Sequence, residues 1–356
     1  MSQYVAINPD DYTAPGKPPG SDASSPRWAR LLIEAGLRVK WVDVRRSDIL
    51  DQLRDCRGFM WRWAHFSGMG RVARRLLPVI ERELKIPVYP DQNTCWHYDD
   101  KIAQCYLLRA LDVPMPRTWV WYDREQARAW AQEIKYPLVL KLASGAGSMN
   151  VKLIRSVPDA HLWIERLFAH QVHNLEEEPF RLLGFGRSFR HAASTIVRRR
   201  PTLLWDTGYE PQSGYVLFQE FLPNNGWDTR VTVIGNRAFA FRRFNRPGDF
   251  RASGSGLIDH NPDSIDQRFV RLAFTVTKRL RSQSCAIDGL YRGSERVVGE
   301  VSYTYVSSAV HDCPGHWILS GDAETGKLDW VAGHMWPEEA QAADFVARIR
   351  DRYDIY

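Results

Sequence analysis

Asp288, Glu300 and Ser302 are the first residues in this chain whose types and spacing suggest chemistry. They lie in residues 282–305, which read as two strands and a tight turn. Cys285, Ile287 and Leu290 make one apolar run, and Val297, Val298 and Val301 make the other. Arg292, Gly293, Ser294 and Glu295 supply a polar, glycine-containing turn between them. Strand side chains alternate faces, so Glu300 and Ser302 share one, and an antiparallel partner can bring Asp288 beside them. Two carboxylates and a hydroxyl on one sheet face suit a hard cation such as Mg²⁺, which takes oxygen ligands and substrate phosphates. The competing reading is an acidic pair on a solvated sheet face.

A second group of residues suggests anion binding. Residues 136–142, 143–148 and 150–154 read as strand, glycine-rich loop and strand, with Lys141 in an otherwise apolar run. Gly145 and Gly147 carry no side chain, so backbone amides there can approach phosphate oxygens. No helix follows the loop, which sets it apart from P-loop and Rossmann fingerprints. Asp99 and Asp100 read as the cap of a helix to Leu111, with Lys101 in its first turn. A lysine there opposes the helix dipole, so either solvation or an anionic ligand must favour it. Arg230 and Arg243 fall on strands, and residues 249–256 form a polar loop containing Arg251 and Ser253.

The elements that would position these groups follow from periodicity. Strands at 4–8, 39–44, 58–61 and 88–89 alternate with helices at 25–36, 47–53 and 72–84, which implies a parallel sheet with helices on both faces. Loops after such strands carry ligands in many folds, which draws attention to Trp63 and His65, with packing as the equal alternative. Residues 118–121 read as a strand and 123–134 as a helix. Residues 157–172 also read as a helix. An irregular basic insertion at about 173–214 contains Arg187, Arg190, Arg198, Arg199 and Arg200 and a strand at 202–205. A strand at 216–222, interrupted by Gln219 and Glu220, precedes a hairpin of residues 228–241 turning at Gly235 and Asn236. Helices at 263–280 and 337–353 complete the pattern. Trp330, His334 and Trp336 are candidates to line an acceptor pocket, with core packing the favoured reading for the two tryptophans.

The chain has 356 residues, enough for two or three domains, and Lys plus Arg exceeds Asp plus Glu by 48 − 42 = 6. That mild excess fits anionic small molecules and permits nucleic acid without demanding it. Five cysteines without CxxC or metal-ligand spacing suggest reduced thiols in a cytoplasmic protein. The sequence shows neither a signal-peptide pattern nor an apolar run long enough for a membrane span.

The ordered set of these motifs resembles the ATP-grasp superfamily, closest to the branch of ribosomal-protein glutamate ligases and glutathione synthetases. The resemblance runs over roughly residues 85–310 and is carried by several motifs in the family's order. They are Asp100 with Lys101, Lys141 with its glycine-rich hairpin, residues 219–222, Asp228 with Arg230, Arg243, the loop at Arg251 and Ser253, Asp288, and Glu300 with Ser302. It implies an α/β fold with an N-terminal Rossmann-like domain at 1–95, followed by a two-lobed ATP-grasp module with a small lobe at 96–215 and a large lobe at 216–356.

The resemblance also implies roles. Lys101 and Lys141 would contact ATP phosphates beneath a loop containing Gly145, Gly147 and Ser148. Gln219, Glu220, Phe221 and Leu222 would form the adenine hinge, Asp228 would lie near the ribose, and Ser253 would face the nucleotide. Asp288, Glu300 and Ser302 would hold Mg²⁺, with Mn²⁺ as an alternative, and Arg230, Arg243 and Arg251 would neutralise charge on the transferred phosphoryl group. Ser302 and Ser253 both stand where the family has Asn.

The implied activity is ATP-dependent carboxylate–amine ligation through an acyl phosphate on a small-molecule carboxylate. The alternatives are a phosphotransferase on the same fold and a non-catalytic nucleotide or nucleic-acid binding protein. The expected partners are a small carboxylate and an amine, without membrane or nucleic acid, and a homodimer is left open.

Overall fold

The computed structural model of the chain describes residues 4–10, 12, 20–64, 67–145, 147, 150–172, 175 and 211–353. His65, Ser148, the five arginines of the basic insertion and the strand expected at 202–205 lie outside the described residues. Among the described residues, three sheets organise the chain.

The first sheet is wholly parallel, in the order β2-β1-β3-β4, from β1 (Tyr4–Ile7), β2 (Arg38–Trp41), β3 (Cys56–Met60) and β4 (Val88–Tyr89). Each link passes through a helix, as parallel pairing requires. The helix Ser25–Glu34 starts with Pro26 in its first turn, where a missing N–H costs nothing. The expected helix at 72–84 begins earlier, at Ser67, and finishes as a π-helical turn, Ile80–Leu84, beyond Pro78. One sheet face packs Ala6 and Phe59 against Leu53, Trp61, Leu77 and Ile80. The other packs Val5, Ile7 and Met60 against Trp28 and Leu32, and also against Phe345, Val346 and Ile349 of the terminal helix Pro337–Tyr353. That helix approaches so closely that a Cβ on Gly58 would lie 2.9 Å from the Phe345 ring.

The second sheet is antiparallel, in the order β5-β8-β6-β7, from β5 (Thr118–Trp121), β6 (Leu138–Lys141), β7 (Val151–Ile154) and β8 (Val216–Glu220). The helices Arg124–Glu133 and Val157–Ala169 bury Ala127, Ala131, Trp163, Ile164 and Leu167 on it.

The third sheet has seven strands: β9 (Trp227–Ile234), β10 (Arg237–Phe244), β11 (Ile258–Asp259), β12 (Ser284–Arg292), β13 (Glu295–Ser302), β14 (Gly315–Ser320) and β15 (Lys327–Ala332). The order is β13-β12-β9-β10-β14-β15, with β11 beside β10. The helix Gln267–Leu280 covers one face with Phe269, Val270, Ala273 and Val276. It starts later than the expected helix at 263–280, because Asp266 caps it by accepting the Arg268 N–H, and only a 3₁₀ turn, Pro262–Ser264, precedes the cap. The hairpin β14–β15 and the short helices Gln92–Cys95 and Ser307–His311 add to the elements read from sequence.

Trp63 is a packing residue: it is 1% exposed and meets the Tyr98 and Tyr303 rings edge-on and tilted. Trp330 departs from the expected core placement, since it is 39% exposed with its ring against Trp317. Trp336 is half-buried between the Arg27 guanidinium and the His311 ring. Among the described residues, no helix is long and apolar enough to cross a membrane.

Candidate active site

A cleft of about 690 Å³ opens between the second and third sheets. Val139, Lys141, Val151, Gln219 and Glu220 line it from one side, and Asp228, Asp288, Leu290, Gly299 and Glu300 from the other. Lys101, Gly145, Phe221, Leu222, Arg251 and Ser253 complete the expected residues it gathers.

The carboxylates are placed by strand register. Asp288 on β12 pairs directly with Glu300 on β13, and the next pair is Gly289 with Val298, so a bulge at Gly299 follows at once. A bulge twists the strand locally and re-aims its side chains. Gly289 is required there, because a Cβ would meet the Phe269 ring at 2.5 Å.

On its other side Asp288 pairs with Arg230 of β9. The Arg230 Nε and Nη2 donate to the two Asp288 oxygens at 2.7 and 2.8 Å. Arg243 reaches from β10: its Nη2 lies 2.7 Å from Asp288 Oδ2, while its Nε and Nη2 hold both Asp228 oxygens at 2.7 and 2.6 Å. Burial alone would raise the Asp288 carboxyl pKa, but Arg230 and Arg243 outweigh it and hold the group well below the usual carboxylate range. The solvated acidic pair therefore does not describe this face: Asp288 is 8% exposed and fully paired. The arginines differ from the sequence expectation as well. Neither Arg230 nor Arg243 lines the cleft, since both guanidinium groups are turned onto carboxylates.

Lys101 is buried, so solvation does not explain its place in the first helical turn. Its Nζ donates to the Gly145 carbonyl at 2.8 Å and lies 3.4 Å from Glu300 Oε1. Lys141 enters the cleft from the end of β6. Burial lowers its pKa to about 8, with Lys101 adding to the effect and Glu300 and Asp288 opposing it. The glycine-rich hairpin is tied at its base. The Ala143 N–H donates to the Tyr215 hydroxyl at 2.7 Å, and the Gly145 N–H to Asp99 Oδ1 at 2.8 Å. Gly145 and Gly147 both take positive φ, 143° and 63°, which explains the residue type. Gly147 is not part of the cleft lining.

In the hinge segment, Gln219 Nε2 donates to Thr118 Oγ1 at 3.0 Å, and Glu220 pairs with Arg117 and, at 3.7 Å, with Arg292. Both side chains are thus engaged with protein partners. Arg251 chelates Asp249, with Nη2 to Oδ2 at 2.7 Å, and Ser253 offers its carbonyl to Arg246 at 3.1 Å. Ser302 stands apart. Its hydroxyl donates to the Thr304 carbonyl at 2.7 Å, and it is absent from the cleft lining.

The cleft also contains Asn225, Asn245 and Phe250, which sequence reading passed over. Asn225 accepts the Tyr291 N–H at 2.8 Å and Asn245 donates to the Asn225 carbonyl at 2.8 Å, so both brace the turn before β9. The sequence Asn224-Asn225-Gly226 is itself a turn signal, and it marks where that bracing is needed.

Among the described residues, no group of three His, Cys, Asp or Glu could hold a metal ion. Two carboxylates on directly paired residues fit a divalent cation that draws its other ligands from phosphate oxygens and water, and do not fit a resident ion held by protein alone.

No family model matches the chain. A stretch of 67 residues is 31% identical to the alpha-aminoadipate–LysW ligase LysX of Saccharolobus solfataricus, covering 18% of this chain and 24% of that protein. The chain thus spans about a quarter of the length of that curated relative. Solved structures match far more of it. A RimK domain ATP-grasp protein from Sphaerobacter thermophilus matches at TM-score 0.53 with 17% identity, covering 97% of this chain and 99% of that one. The ATP-grasp ligase PsnB, in complex with precursor peptide PsnA2 and AMPPNP, matches at 0.55 with 15% identity over 98% of each chain. The D-alanine–D-alanine ligase of Bacillus anthracis matches at 0.53 with 11% identity over 99% of this chain and 98% of that one. Across nearly its whole length, the chain has the ATP-grasp fold.

Proposed function

We propose that the protein is an ATP-dependent carboxylate–amine ligase. The supporting observation is a single cleft that gathers Lys101, Lys141, the base of a glycine-rich hairpin and the opposed pair Asp288 and Glu300. In this reading adenine lies among Val139, Val151 and Leu290 beside residues 219–222, and the phosphates lie toward the lysines. Asp228 borders the ribose. Asp288 and Glu300 would hold Mg²⁺, or Mn²⁺ in the same oxygen set, and the cation would supply neutralising charge for the phosphates.

The substrate carboxylate oxygen attacks the γ-phosphorus of ATP, and ADP leaves. The neutral amine nitrogen then attacks the acyl carbon of the acyl phosphate, the C–O bond to phosphate breaks, inorganic phosphate leaves, and the nitrogen gives up one proton to water as the amide forms. Phosphoryl transfer of this kind depends on positioning and positive charge, which the two lysines and Arg251 provide. Arg230 and Arg243 act from behind by fixing Asp288. The cleft volume of about 690 Å³ supports a small-molecule carboxylate beside the nucleotide. Five buried, unpaired cysteines support a cytoplasmic location.

The test is calorimetry of the full chain with ATP and Mg²⁺, followed by phosphate release across a panel of carboxylates and amines. Release that requires both carboxylate and amine supports the ligase. Phosphate that stays on a substrate identifies a phosphotransferase. Absence of ATP binding overturns both.

A further inference from the structure

The segment carrying Lys101 grips one residue of the glycine-rich hairpin from both sides. Asp99 Oδ1 accepts the Gly145 N–H at 2.8 Å, and Lys101 Nζ donates to the Gly145 carbonyl at 2.8 Å. The Lys101 N–H adds a bond to the Ala143 carbonyl at 2.9 Å. Asp99 is not needed as a helix cap, because Asp100 already accepts the Ile102 and Ala103 N–H groups at 3.1 and 3.0 Å. Asp99 instead adopts φ 53°, a left-handed conformation that residues with a β-carbon rarely take. Strain of this kind persists only where the surroundings over-determine it. Its carboxyl is half-buried, and that burial pushes it up to about 6 against the pull of Lys101 and the Gly145 N–H. An uncommon backbone angle and a partly desolvated carboxylate are thus both maintained at the bond to the hairpin.

We propose that Asp99 is a positioning residue of the nucleotide site, which acts with Lys101 to fix Gly145 and so sets affinity for the triphosphate rather than for the nucleoside. This rests on the nucleotide reading given above. The bond it makes is at the base of the loop expected over the phosphates, and it touches none of the apolar residues assigned to adenine. Loss of the carboxylate therefore frees the phosphate end of the cleft and leaves the nucleoside end as it was.

The experiment compares dissociation constants of the full chain for ATP with Mg²⁺ and for adenosine, by calorimetry, in the wild type, D99A and D99N. Asn keeps an acceptor oxygen and tolerates the left-handed backbone, so D99N stays within about threefold of wild type for both ligands. D99A binds ATP about tenfold more weakly, as expected for one hydrogen bond, with adenosine unchanged. D99G, which relieves the backbone angle, replaces D99A where the latter does not fold. Equal ATP affinity in D99A and wild type overturns the role. So does an equal loss for adenosine and ATP, or a D99N as weak as D99A. A wild type that binds neither ligand sinks the nucleotide reading and this role with it, whereas a wild type that binds ATP beside an unmoved D99A sinks this role alone.

Discussion

Asp288 and Glu300 stand directly opposite each other on β12 and β13, yet their electrostatic settings differ. Asp288 is locked between two arginines, while Glu300 has one lysine at 3.4 Å and a side chain 35% exposed. Glu300 is the more exposed and less tightly held member of the pair, and it carries little structural load. Glu300→Ala is expected to lower ATP turnover on the order of 10²-fold or more. Its stability should fall by no more than about 1 kcal/mol, the range of a part-exposed ion pair. Steady-state phosphate release and urea unfolding measure the two effects, and retention of full activity would remove Glu300 from the site.

Arg243 has the reverse profile. It is 6% exposed and neutralises two buried carboxylates at once, Asp228 and Asp288. Arg243→Met should leave Asp228 without its partner and Asp288 with Arg230 alone, and cost about 3–5 kcal/mol of stability, as breaking buried pairs does. Urea unfolding checks this, and a shift below about 1 kcal/mol would show that water or a neighbour replaces the guanidinium.

Lys141 gives a pH signature. Its pKa in the folded protein is about 8, against 10.5 ordinarily, so between these values the unfolded chain binds more protons than the native one. Stability contributed by this group therefore rises as pH goes from about 8 to about 10.5. Phosphate attraction has the opposite dependence, because the amine loses its charge over the same range. ATP affinity should fall as pH rises through about 8, and Lys141→Arg, which stays charged, should flatten that fall. Calorimetric titration from about pH 7 to pH 9 reads both, and an unchanged slope in the arginine variant would assign the dependence to another group.

Gly289 joins the core to the site. A Cβ there would lie 2.5 Å from the Phe269 ring, one residue from Asp288. Gly289→Ala should cost about 1–3 kcal/mol through overpacking. Because the strand must shift at the bulge, turnover should fall with it. The double variant Gly289→Ala with Phe269→Leu, which makes room, should recover activity. No recovery would place the defect in the backbone conformation rather than in the collision.

Much of this was legible in the sequence. The hairpin β12–β13 and the glycine-rich hairpin stood out because their apolar alternation is strong and their turns contain glycine. Periodicity could not give strand register, and register is what sets Arg230 and Arg243 against Asp288 rather than against the cleft. The hairpin β14–β15 was invisible because β15 is exposed along most of its length and so lacks the alternation of a half-buried strand. Asp99 and Asp100 are interchangeable as letters; only the backbone angle at Asp99 tells the cap from the residue that reaches the loop. Ser302 occupies the predicted strand position, but its hydroxyl finds a nearer acceptor two residues on.

The terminal helix has a consequence for synthesis. Phe345, Val346 and Ile349 complete the core over Val5 and Ile7, more than three hundred positions earlier in the chain. While the chain is being made, that face of the first sheet is therefore covered only in part, by Trp28 and Leu32, and waits for its remaining cover through translation of both later sheets. The first sheet can therefore finish folding only after a helix more than three hundred positions later in sequence has been made.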